Sequence, residues 1–356
     1  MIQRMLFVAI MFLLSLVPAI AQPGESVLGA VDGPDLLFQS TELLDITLTA
    51  PFRTIDRERD KEKEYEGTLS YLGDSGEEVV MDVNLSVRGN WRLQKDNCQY
   101  SQLWVDLRRR QTTGTVFENQ NRLKLVVQCG RQNRYLNYLA KEQQLYQIFG
   151  ELSEYNFDTR LVNTSYVDSE NPGRSRTHLA FFIEHQNRLA ERFGMEEVEL
   201  NRISVSELHS AQSNLVSLFM YLAGNTDYAL TQGADGDECC HNAKLLMNDA
   251  GQYIAIPYDF DGSGYVNAAY AGLPSPLTGL RSNRQRRYWG FCDSIDSINL
   301  TIEALQESRE RISSIVSDST HVSAREASRS QRYVDAFFEI LDDERKVDRE
   351  IVRDCR

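Results

Sequence analysis

The chain reads as an α+β protein with a β-rich N-terminal lobe and a helical C-terminal lobe, and three observations carry that expectation. Up to about residue 186, apolar residues alternate with polar ones in strand fashion, most clearly at Val79, Met81, Val83, Leu85 and Val87. From about Ile302 to Val352 they recur at helical spacing among dense charge. Between the two regimes, Leu208 to Leu222 reads as a largely apolar helix leading into a series of short polar loops. The expected divisions are residues 1–21, 22–42, 43–186 and 187–356, the last with a loop region of catalytic type over 224–264.

Residues 1–21 read as a secretory signal peptide. Arg4 supplies the positive start, Met5 to Val17 is an apolar run, and Ala19-Ile20-Ala21 gives the small-x-small cleavage pattern. Residues 22–42 are a flexible lead-in, and Leu43 to Thr49 alternates as a strand. Arg57 to Glu66 is a mixed-charge run without an apolar face, expected to be a solvated loop. Strands follow at 79–88, Leu103 to Leu107 and Arg122 to Val127. Tyr135 to Phe149 switches to helical spacing, with Leu139, Tyr146 and Phe149 on one side. Phe157 to Val167 and Leu179 to Glu184 return to strand character. Lys244 to Met247 and Tyr253 to Pro257 form a hairpin that turns at Asp249-Ala250-Gly251.

Charge and cysteine usage narrow the function classes. Without residues 1–21, 37 basic residues face 52 acidic ones, a net charge of −15. Such a chain repels phosphate backbones, so no nucleic-acid partner is expected. No segment after the leader has the roughly 18 apolar residues of a membrane helix. Together these point to a secreted or periplasmic protein with no transmembrane segment after signal cleavage. The six cysteines are Cys98, Cys129, Cys239, Cys240, Cys292 and Cys355, an even number that favours disulfides in an exported chain. Cys98 and Cys129 bracket two strands that would lie side by side, so they are expected to pair. Cys239 or Cys240 is expected to join Cys292, with Cys355 left unassigned.

The stretch Ile256-Pro257-Tyr258-Asp259-Phe260-Asp261-Gly262-Ser263-Gly264 is the most informative. A strand runs into two aspartates one residue apart, which suits a hard cation such as Mg²⁺. An EF-hand loop is excluded, because its position 12 falls on Tyr270 where a bidentate glutamate is needed. Upstream stand Asn225-Thr226-Asp227 and Asn242, giving aspartate, asparagine and aspartate in the order used by kinase catalytic lobes.

The run Gly224-Asn225-Thr226-Asp227, His241-Asn242 and Ile256 to Asp261 resembles the catalytic segment of the spore-coat CotH family of atypical secreted protein kinases. Arg88-Gly89-Asn90, the lysine-bearing Arg122-Leu123-Lys124-Leu125, the helix over 138–146 and Phe181-Phe182-Ile183-Glu184 follow in the family's order, so the likeness covers roughly residues 80–270. Two departures stand out. Trp91 to Cys98 lacks the family's Pro-Lys-Lys, and an insert carrying Cys239-Cys240 separates Asp227 from Asn242.

The resemblance implies a two-lobed, atypical protein-kinase-like fold and a metal-dependent transfer of phosphoryl groups from ATP or another nucleotide to a protein Ser, Thr or Tyr hydroxyl. It implies that Lys124, paired with Glu142, holds the nucleotide phosphates, with Arg88 beside them. Asp227 would orient the acceptor hydroxyl, while Asn242, Asp259 and Asp261 would hold Mg²⁺ or Mn²⁺. Because the departures fall where nucleotide or substrate would bind, two alternatives stay open: a catalytically silent binding or structural module of the cell envelope, and a nucleotidyltransferase. Arg281, Arg284, Arg286 and Arg287 form a basic patch, either a solvated loop or a grip for an acidic group.

Overall fold

The computed structural model describes residues 34–73, 75–233, 239–317 and 320–356. The expected signal peptide and most of the lead-in lie outside the described residues. Seven strands close into a barrel: β1 (Leu44–Ala50), β2 (Tyr65–Leu72), β3 (Glu78–Arg88), β4 (Gln102–Leu107), β5 (Arg122–Val127), β6 (Thr159–Asp168) and β7 (Ser175–Ile183). Their order is β1-β2-β3-β4-β5-β7-β6. Neighbours are antiparallel except at the closure, where β1 runs parallel to β6 from Leu44↔Val162 to Ala50↔Asp168. Closure leaves no sheet edge to protect.

Alternation decides which side chains fill the barrel. Met81, Val83, Leu85 and Val87 of β3, Leu103, Val105 and Leu107 of β4, and Leu123, Leu125 and Val127 of β5 point inward. Phe117, from the β4–β5 connection, plugs the interior against Tyr71 and Phe182, with ring centroids 5.6 and 5.8 Å apart. Between these positions Arg88, Trp104 and Lys124 point outward, and Trp104 sits directly across from Lys124 in the β4–β5 register.

Helices complete the fold around the barrel. They are α1 (Phe52–Glu58), α2 (Arg109–Thr112), α3 (Asn133–Leu152), α4 (Gln186–Arg192), α5 (Ser210–Ala223), α6 (Ile298–Glu307), α7 (Arg309–Ser317), α8 (Ala324–Leu341) and α9 (Glu344–Val347). A second sheet, β10-β9-β8, is built from Glu196–Glu197 (β8), Ala243–Met247 (β9) and Tyr253–Pro257 (β10). Helix α3 is buried on almost every side from Leu139 onward, polar residues included. Each of those finds a partner, as burial demands. Gln144 donates to Ile315 O and accepts from the Tyr265 hydroxyl, and Lys141 bridges to Glu326 at 3.6 Å.

The expected two-lobed, kinase-like architecture is therefore replaced by a closed seven-stranded mixed barrel with helices packed on it. The element that hid the closure is the charged run over 57–66. Part of it ends α1 and part begins β2, which pairs with both β1 and β3. Arg59 caps α1 in a left-handed conformation (φ 53°) and is only 9% exposed. Its guanidinium donates to the carbonyls of Leu93, Cys98 and Gln99, each at 2.8 Å. An arginine used this way is an interior bolt, and periodicity does not reveal it.

Cys98 and Cys129 form the expected disulfide. The expected link from Cys239 or Cys240 to Cys292 does not form, because Cys292 pairs with Cys355 and Cys239 with its neighbour Cys240. Backbone pairing explains the C-terminal link: Cys292 N donates to Arg356 O, and Arg356 N donates to Gly290 O. These bonds bring the two cysteines together. The arginine patch is mostly scaffold. Arg284 donates to Gly264 O, Arg286 to Leu222 O and Tyr333 O, and Arg287 to Thr278 O. No helix among the described residues is long and apolar enough to cross a membrane.

Candidate functional site

Two loops are stitched together before any side-chain chemistry begins. Helix α5 ends at Gly224 in a left-handed C-cap (φ 65°), where an added Cβ would collide with the Tyr333 hydroxyl. Gly264 N then donates to Gly224 O, and Tyr265 N to Ala223 O, so the loop at 224–227 lies beside the loop at 261–265. On the other side Tyr258 N donates to Asn242 O at the end of the β9–β10 ladder. Phe260 is fully buried against Tyr146 and Phe219, with centroids 4.7 and 5.3 Å away. Asp259 and Asp261, on either side of that anchor, line a cleft of about 710 Å³.

Six of the seven site residues expected from the sequence line that cleft: Arg88, Lys124, Asp227, Asn242, Asp259 and Asp261. Asp259 and Asn242 both hold left-handed backbone conformations (φ 61° and 51°). Such conformations cost roughly 1–3 kcal/mol each and concentrate at functional sites. Asn242 Nδ2 donates to Asp227 O at 2.6 Å and to its carboxylate at 3.3 Å. His241 Nε2 lies 2.8 Å from Asp227 Oδ1.

Glu142 is brought near, but to a different partner from the one expected. No bridge joins it to Lys124 among the described residues; it meets Arg92 instead. Both are deeply buried, with Nη1–Oε2 at 3.2 Å and Nη2–Oε1 at 3.3 Å. The same guanidinium reaches Asp259 Oδ1 and Asp261 Oδ2, each at 3.1 Å. Burial alone would lower Arg92, but Asp261, Glu142, Tyr270 and Asp259 together outweigh it and hold the guanidinium well above its ordinary value. Burial pushes Glu142 and Asp261 upward, and the neighbouring carboxylates push them further. Three carboxylates thus share one cation, and the cluster carries surplus negative charge.

The opposite wall has surplus positive charge. Lys124 is 6% exposed and makes no ion pair or hydrogen bond among the described residues. Its ammonium lies over Tyr258 at 4.6 Å from the ring centroid, and 5.6 Å from both Trp104 and Phe157. Burial, then Arg88 and Lys244, bring it down to about 7. Arg88 is likewise lowered by burial and by Arg92, and has no carboxylate bridge among the described residues.

Arg92, Trp104 and Lys244 were not singled out from the sequence, and His241 and Tyr258 stood in the resembled run without a role. Arg92 lies in the Trp91 to Cys98 segment that departs from the resembled pattern, and its charge was the available signal. Among the described residues no group of three or more His, Cys, Asp or Glu side chains is arranged to hold a metal ion. Asp259 and Asp261 each give Arg92 one oxygen and retain another, and Asn242 lines the same cleft. That donor set is all oxygen, and the surplus charge around it is of the sign a divalent cation neutralises. Comparisons with protein-family models, with curated proteins and with solved structures find no match.

Proposed function

We propose that this protein is an extracytoplasmic enzyme that transfers a phosphoryl group from a Mg²⁺- or Mn²⁺-bound nucleotide to a hydroxyl on a protein substrate. One observation carries the reading: two cations without carboxylate partners among the described residues, the half-buried Arg88 and the buried Lys124, share a cleft with Asp227, Asn242, Asp259 and Asp261. A polyphosphate satisfies the cationic wall, and a divalent cation suits the acidic one. The motif order shared with the CotH family points the same way, and the disulfides suit an oxidising compartment.

Arg88 and Lys124 hold the phosphates, and Asn242, Asp259 and Asp261 would hold the cation, which supplies charge neutralisation at the transferring group. Asp227 takes the proton from the acceptor hydroxyl as the new oxygen–phosphorus bond forms. The bond to the nucleoside diphosphate breaks in the same displacement. His241 and Asn242 fix the Asp227 carboxylate for that role. Arg92 positions both aspartates from behind, held in turn by Glu142.

A second reading is favoured by one fact: Arg92 already neutralises part of the aspartate pair, as an internal cation would in a silent binding module. Thermal melting with saturating Mn²⁺ and nucleotide, together with transfer of a labelled γ-phosphate, separates the two. The enzyme reading expects a rise in Tm, its loss in Asp259→Ala, and an Asp227→Asn variant that keeps the rise but loses about 10²–10⁴-fold in transfer. An unmoved wild-type Tm together with no transfer leaves the silent module.

A further inference from the structure

Lys124 has surroundings that phosphate binding alone does not require. It rises from the outer face of the barrel with its stem and ammonium enclosed by Trp104, Phe157 and Tyr258. Charged and titratable groups face it from every side. Arg88 of β3 and Lys244 of β9 repel its charge, and Asp259 and Glu197 offset that only in part. His185, packed on Trp104 with centroids 5.8 Å apart, is itself lowered to about 4 by burial and by Lys124, and so adds no positive charge near neutral pH. Apolar walls and like charges are the two surroundings that keep a lysine amine unprotonated and nucleophilic.

We propose that Lys124 captures phosphate-bearing aldehydes as a reversible imine within this cleft. The inference uses the phosphate-holding wall of the reading above but needs neither its cation nor its transfer step. The neutral amine adds to the carbonyl carbon, forming a carbon–nitrogen bond while the carbonyl oxygen gains a proton. Loss of water from that adduct gives the imine, so amine and aldehyde yield imine and water with no change of oxidation state. Arg88 holds the phosphate, which fixes the carbonyl over the amine, while Lys244, bridged to Glu197 at 3.6 Å, adds positive charge beside it. With its value at about 7, Lys124 is about half unprotonated at pH 7. A surface lysine at its ordinary value has roughly a thousandfold less free amine there.

The test incubates the full chain with pyridoxal 5′-phosphate at pH 7, reduces with borohydride and maps the modified peptide. The expected result is one adduct per chain on Lys124, absent from Lys124→Arg, while exposed lysines such as Lys61 and Lys95 stay unlabelled. Pyridoxal without its phosphate should label about tenfold less, the worth of one charge-assisted contact, and Arg88→Gln should narrow that gap. Adducts spread over surface lysines, or equal labelling by the two aldehydes, overturn the proposal. The wild-type peptide map decides the matter even where Lys124→Arg fails to fold. If labelling succeeds while Mn²⁺ and nucleotide leave Tm unmoved and no γ-phosphate is transferred, the phosphotransfer reading falls and this one stands; the reverse results remove this one alone.

Discussion

Lys124 shows at the scale of one residue how a site can hold charge that the fold would be more stable without. Its value falls from 10.5 to about 7, chiefly through burial. In that window the unfolded chain binds the proton and the folded protein does not, so this residue makes stability rise with pH between about 7 and 10.5. Below 7 its penalty is fully present. Lys124→Met should therefore stabilise the protein by roughly 2–4 kcal/mol at pH 6, with the gain shrinking toward pH 10. Melting curves across that range check it. A variant that is no more stable than wild type at pH 6 would mean the charge is compensated. Six of the residues that line this cleft were singled out through the order of short motifs that resembles the CotH catalytic segment, since an aspartate pair after a strand and a lysine within one also have purely structural readings. The partner of Glu142 was not legible. Arg92 reaches it from a loop 50 positions away, and nothing in periodicity reports such a contact.

Single elements explain why the loops arrive where they do. β3 was readable because its residues alternate between the barrel interior and a more polar outer face, whereas β5 and the β9–β10 hairpin were readable as short apolar runs. Helix α3 was read as a helix from its spacing, but the burial of its polar face was not, since Lys141, Glu142, Gln143 and Gln144 are as buried as its apolar residues. The segment after β10 depends on one anchor. Phe260 between Tyr146 and Phe219 holds Asp259 and Asp261 at the cleft, and the Tyr146 hydroxyl also accepts from Asp259 N at 3.0 Å. Phe260→Ala should cost about 3–5 kcal/mol by emptying that packed site. It should also weaken any Mn²⁺–nucleotide response beyond what the lost stability explains, because the aspartates lose their anchor. Phe260→Leu fills most of the space and should recover both. Denaturant melts with and without ligand separate the effects, and a Phe260→Ala protein of near wild-type stability would contradict the anchor.

At the scale of the whole molecule, the sequence placed most strands and the late helices correctly but drew a boundary at 186/187 that the packing does not respect. The reason lies in β5 and β7. Leu125, Val127, Ala180 and Phe182 fill the barrel, while Val126, Leu179, Phe181 and Ile183 pack outward with α3, α5 and the C-terminal helices. One sheet wall thus serves two apolar cores. A strand buried on both faces reads as a continuous apolar run, as Leu125-Val126-Val127 and Leu179 to Ile183 do, and such a run does not say that its two faces belong to different cores. Neither core can be exposed without stripping one face of that wall. Calorimetric unfolding of the chain should therefore give a single transition, and residues 187–356 expressed alone should lack a cooperative melt. Phe181→Ala, which empties only the outer core, should lower the one shared transition by about 3–5 kcal/mol of stability. Two resolved transitions, with Phe181→Ala moving just one, would show that the barrel and the helices fold independently and that the shared wall does not couple them.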